Sequence, residues 1–135
     1  MKIIIDTNLW ISFLLSKKLN FIDSLLSSDK IQLVFSKQLI AEFIDVSNRP
    51  KLKRFFTKKD YELVFDIIDR FSILINTTSE VEECRDNKDN FLLALAKDSN
   101  ADFLITGDND LLILNPFENT KIVTIKEFEN IIIKN

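Results

Sequence analysis

The sequence contains no histidine. That absence removes imidazole acid–base catalysis, Ser-His-Asp triads and histidine-based zinc sites, so any chemistry must run on carboxylates, hydroxyls or lysines. Cysteine is almost as scarce. Cys84 stands alone, which forbids an intramolecular disulfide and a thiolate zinc cluster and makes a reducing cytoplasm the expected location. Long apolar runs are missing too: nothing approaches the roughly 18 uninterrupted residues of a membrane span, and no membrane partner is expected. The apolar stretch ending at Leu15 is interrupted by Asp6 and Asn8 and has no small-residue cleavage site after it. It reads as a buried strand entering a helix, not as a secretory signal. There is no internal repeat, linker or low-complexity segment, and glycine occurs once, at Gly107. The formal charge of −3 does not advertise nucleic-acid binding, so any basic surface has to be local.

What is present fits an ordinary globular chain. With 135 residues, 46% of them hydrophobic and 29% charged, the expectation is one autonomously folding domain over residues 1–135. The β-branched run at 2–5, ending at Asp6, suits a buried parallel strand. Helices follow at 8–15 and 19–26, then a strand at 31–35 and a helix capped by Ser36 that runs to about Ser47 and is ended by Pro50. Thr57 and Asp60 form a capping box for a helix carrying Tyr61, Val64, Phe65 and Ile68 on one face. A strand at 72–75, a helix at 90–97, strands at 102–106 and 121–123, and a helix capped by Thr124 and Glu127 that ends near Lys134 complete the order. Alternating strands and helices predict an α/β layer sandwich around a mostly parallel sheet of about four or five strands.

In an open parallel sheet, ligands bind beyond the carboxyl ends of the strands. Asp6 follows the first strand directly, and Asp108 follows the fourth after Thr106 and Gly107. Taken singly, Asp6 is as well explained by helix capping and Asp108 by a polar turn after glycine. Glu42 lies on the margin of the apolar stripe formed by Leu39, Ile40, Phe43, Ile44 and Val46, where a plain surface glutamate is the commoner reading. Asp89 opens a helix, and a carboxylate favours the macrodipole there in any case. The combination changes the balance. Two unit charges 4 Å apart cost about 4 kcal/mol at an effective dielectric near 20, so four converging acids need a cation or must protonate. All-oxygen ligation selects a hard ion such as Mg²⁺ or Mn²⁺.

The segments IIIDTN at the start, AEF around Glu42, CRDNKDNFLLALA from Cys84 and LITGDNDLL from Leu104 resemble, in order and spacing, the PIN domain. The last two look most like the branch of VapC-type toxins from toxin–antitoxin pairs. The resemblance implies a PIN-like three-layer sandwich. It further implies a ribonuclease whose Mg²⁺ or Mn²⁺, one or two ions, is held by Asp6, Glu42, Asp89 and Asp108. Asp86 and Asp110 would be accessory acids, Asn8 would support the first main acid and Thr106 would lie beside the last. Asn87 and Asn90 alter the charge of the acidic segment and leave the contribution of Asp86 open. The same resemblance implies an RNA substrate, a cognate antitoxin and a homodimer, with water as nucleophile and therefore 5′-phosphate and 3′-hydroxyl ends.

Six basic residues, Arg49, Lys51, Lys53, Arg54, Lys58 and Lys59, are interleaved with Phe55 and Phe56. Phosphate contacts and aromatic stacking are the two main devices for holding single strands, so the cations are candidate nucleic-acid contacts. The phenylalanines are expected in the core. Three other readings compete. A phosphorelay receiver-like module also binds Mg²⁺ at strand ends, but it wants an adjacent acid beside Asp6 and a firmer lysine than Lys126. A non-catalytic PIN-like partner-binding domain would not need all four acids. A DNA-directed 5′ nuclease would need additional threading elements.

Overall fold

Three consecutive isoleucines, Ile3 to Ile5, are all buried in the first strand, so both faces of that strand are covered. The computed structural model describes residues 1–16, 22, 26–27, 30–85 and 89–134. Within them the order is β1 (Lys2–Ile5), α1 (Thr7–Leu15), β2 (Gln32–Phe35), α2 (Lys37–Ser47), α3 (Pro50–Lys53), α4 (Lys58–Phe71), β3 (Ser72–Leu74), α5 (Asn90–Ser99), β4 (Phe103–Ile105), α6 (Asn109–Leu112), β5 (Lys121–Val123) and α7 (Ile125–Lys134). Most of the helix expected at 19–26 lies outside the described residues, as does Asp86.

Among the described residues the sheet has five strands in the order β3-β2-β1-β4-β5, with every neighbouring pair parallel. The expected α/β sandwich with a parallel sheet flanked by helices is what forms. Chain order runs outward from β1 through β2 to β3, then returns to the other side of β1 for β4 and β5. The strand order therefore reverses between β1 and β4, and such a switch point opens a crevice at the carboxyl ends. Ile3 pairs with Phe103 and Ile5 with Ile105, so β1 and β4 end level. The Asp6 amide donates to the Ile105 carbonyl at 3.0 Å and carries this alignment one residue into the crevice.

Capping fixes where the helices begin. Ser36 accepts from the Leu39 amide at 3.1 Å, Thr57 and Asp60 form a reciprocal capping box, and Thr124 and Glu127 form another. Two expectations change. Pro50 does not merely end α2: it opens the short α3, because the missing amide costs nothing in a first helical turn. On α4 the buried residues are Val64 and Ile67, with Tyr61 and Ile68 packed at the margin, while Phe65 is 38% exposed. The apolar stripe is narrower than expected, and Phe65 only reaches the ring of Phe43 edge-on.

Candidate functional site

Asp6 is the first residue after β1 and the N-cap of α1, and its carboxylate accepts from the Asn8 amide at 3.4 Å. Its other oxygen accepts the Thr106 hydroxyl proton at 2.7 Å. The same Thr106 hydroxyl oxygen accepts from the Asp108 amide at 3.0 Å. One fully buried threonine thus joins the ends of two neighbouring strands and fixes the two acids relative to each other. Asp108 in turn caps α6 by accepting from the Asp110 amide at 2.9 Å. A cavity of about 350 Å³ opens here, lined by Asp6, Asn8, Leu9, Gly107 and Asp108.

Glu42 joins from α2. The Thr7 hydroxyl, 2% exposed at the first position of α1, donates to its carboxylate at 3.0 Å. Packing of the amphipathic α2 leaves Glu42 half-buried at the margin of its apolar stripe, the position its sequence phase required. Burial pushes the Asp6 carboxyl above the ordinary carboxylate range, and the charge of Asp108 pushes the same way. Hydrogen bonds from Thr106, Asn8 and Thr7 oppose the rise without cancelling it. Glu42 is also raised, chiefly by burial and further by Asp6, against the Thr7 hydrogen bond and the charge of Arg49. Three of the four main acids are therefore electrostatically linked through Asp6.

Asp89 sits half-buried just before α5. The first turn of that helix is tied toward the Asp108 loop through Cys84. The Cys84 amide donates to the Asn90 side-chain oxygen at 2.8 Å, and its thiol donates to the Asp110 carbonyl at 3.7 Å. Arg85 forms an ion pair with Asp110 at 3.5 Å. Among the described residues no three acidic or cysteine side chains stand close enough to grip an ion together. The donor set nevertheless suits a hard cation: the strand-end carboxylates are all-oxygen and repel each other, and Thr106 holds them on one side of the cavity.

The candidate nucleic-acid residues Arg49, Lys51, Lys53, Arg54, Lys58 and Lys59 are all exposed. Arg49 pairs with Asp45 at 3.2 Å, and its charge also reaches Glu42. Phe56 packs against Tyr61 and the core, whereas Phe55 is 51% exposed, contrary to its expected burial. Thr7 is a site residue that the sequence pattern does not single out, although a hydroxyl directly after the first acid is a usable signal. Phe55 could not be told from Phe56, because an irregular turn has no periodicity to assign inside and outside.

Residues 2–110 match the protein-family profile described as PIN domain. An uncharacterized protein of Methanocaldococcus jannaschii is 31% identical over 116 residues, covering 84% of this chain and 74% of the relative. No solved structure matches. Among the described residues no helix is long and apolar enough to cross a membrane.

Proposed function

The chain belongs to the PIN domain family, a family of nucleases that typically bind divalent metal ions, and on that premise we propose that it is a single-domain, metal-dependent endoribonuclease acting as the toxin of a toxin–antitoxin pair. The observation that carries the reading is the Thr106 clamp: two acids from adjacent strand ends held by one hydroxyl at the switch point of the sheet, with Glu42 linked through Thr7. Asp6 and Asp108 would hold Mg²⁺ or Mn²⁺, with Glu42 and Asp89 ligating directly or through water. A bound ion would supply a more acidic water and charge stabilisation at the phosphate. Thr106 and Asn8 keep Asp6 oriented. Glu42, raised above the ordinary carboxylate range by burial and held by Thr7, is placed to take up the proton of the attacking water. Asp110 and Asp86 stand as accessory acids. The exposed cations from Arg49 to Lys59 would draw in the RNA backbone. A cognate antitoxin, a homodimer and a cytoplasmic location belong to the same proposal.

The test is cleavage of single-stranded RNA by purified protein free of antitoxin. Activity with Mg²⁺ or Mn²⁺, its loss in EDTA and 5′-phosphate products are expected. Products ending in 2′,3′-cyclic phosphate, which require attack by the RNA's own hydroxyl, would overturn it, as would cleavage that persists in Asp6→Asn and Asp89→Asn.

A further inference from the structure

Phe55 is the anomaly of the basic segment. The residue is 51% exposed, and the Arg54 guanidinium lies 4.8 Å from the centroid of its ring. Such a contact places a positive charge against one face of the ring. The turn that presents it is fastened on both sides. The Phe55 amide donates to the Leu52 carbonyl at 2.9 Å, that of Phe56 donates to Lys53 at 3.2 Å, and the Thr57–Asp60 capping box starts the next helix immediately afterwards. Phe56 anchors the turn inward against Tyr61 at 6.3 Å between centroids. The ring is therefore held out by a braced turn.

The segment that carries it has charges of one sign only. No acid occurs between Arg49 and Lys59, and the acids that flank the segment in sequence are engaged, Asp45 with Arg49 and Asp60 in the capping box. In a chain of net charge −3 this is a local concentration of cations around an exposed aromatic ring. Cations that follow a phosphate backbone, together with a flat apolar face for a base, are the two elements of single-strand binding. We propose that Phe55, backed by Arg54, is a stacking site for an unpaired base of a single-stranded nucleic acid. The inference rests on the ribonuclease reading and adds to it where the strand is gripped and that the gripped base is unpaired.

The experiment measures fluorescence anisotropy of a short labelled oligouridylate, and of an abasic oligomer with the same backbone, in EDTA so that both stay intact. Phe55→Ala is expected to weaken oligouridylate binding about tenfold, within the range for one base–aromatic stack, and to leave abasic binding and the salt slope unchanged. Replacing Lys51 and Lys53 by Ala weakens both oligomers and flattens the salt slope. Phe55→Trp retains affinity, and its new indole is quenched by oligouridylate but not by the abasic strand, against the constant background of Trp10, which is 1% exposed. Unchanged oligouridylate affinity in Phe55→Ala, or equal loss on both oligomers, overturns the stacking site and leaves the nuclease reading standing. So does a Phe55→Ala variant that changes only the chain's sedimentation, which would assign the ring to a protein contact. Absence of RNA binding and cleavage in the unaltered protein overturns both.

Discussion

In the proposed nuclease, Asp6 pulls stability and chemistry in opposite directions. Its carboxyl is raised by burial and by Asp108, so the ionised form opposes folding. That cost is complete at pH values above the folded-state value, shrinks as pH falls through it, and is gone once pH drops below the ordinary carboxylate range of the unfolded chain. Asp6→Asn retains an oxygen to accept from Thr106 and removes the charge. Its melting temperature at neutral pH should exceed that of the unaltered protein by a few degrees, with the gap closing in acid, while metal-dependent cleavage falls by orders of magnitude. Thermal melts across pH together with a cleavage assay check both halves, and a gap that widens in acid would contradict the argument. Thr7 tests positioning instead. Thr7→Val preserves shape but leaves Glu42 without its donor, and Thr7→Ser restores it. A roughly tenfold fall in kcat with little change in KM for Val, largely rescued by Ser, is the expected split, the size following from one hydrogen bond to a charged group.

Among the elements, those defined by caps and periodicity were legible in the sequence. Ser36, the Thr57–Asp60 box and the Thr124–Glu127 box mark helix starts where the structure has them, and the strands follow their β-branched runs. The four-residue helices α3 and α6 were not, because one turn shows no repeat and depends on its caps and neighbours. The site divides the same way. Asp6 and Asp108 were readable as strand-end acids, but the threonine clamps joining Asp6 to Asp108 and Thr7 to Glu42 depend on residues far apart in sequence. Helix α5 illustrates a local rule used unusually. In a chain with one glycine it ends on Asn100 in the left-handed region, φ 53°, a conformation asparagine tolerates and alanine does not. Asn100→Ala should destabilise by about 1–2 kcal/mol and Asn100→Gly should be neutral or slightly stabilising, as read by urea denaturation.

For the molecule as a whole, the proposed metal site predicts a stability that responds to cations, because the charge of Asp108 disfavours ionised Asp6. A divalent ion that binds only the folded chain adds about 2.7 kcal/mol at 100 times its dissociation constant. Mn²⁺ should therefore raise the melting temperature saturably, and Asp6→Asn combined with Asp108→Asn should remove most of that response. An unchanged response in the double variant would place the ion elsewhere. The sheet order also sets a schedule. β1 is the first strand made but sits at the centre, and the Thr106 hydroxyl that clamps Asp6 comes 100 residues later. At the usual pace of synthesis that interval is on the order of ten seconds, and parallel pairing over such separations is intrinsically slow. A ribosome-bound chain stopped before β4 holds Asp6 but not the strand and threonine that fix it against Asp108, so the proposed metal site is assembled late in the making of this protein.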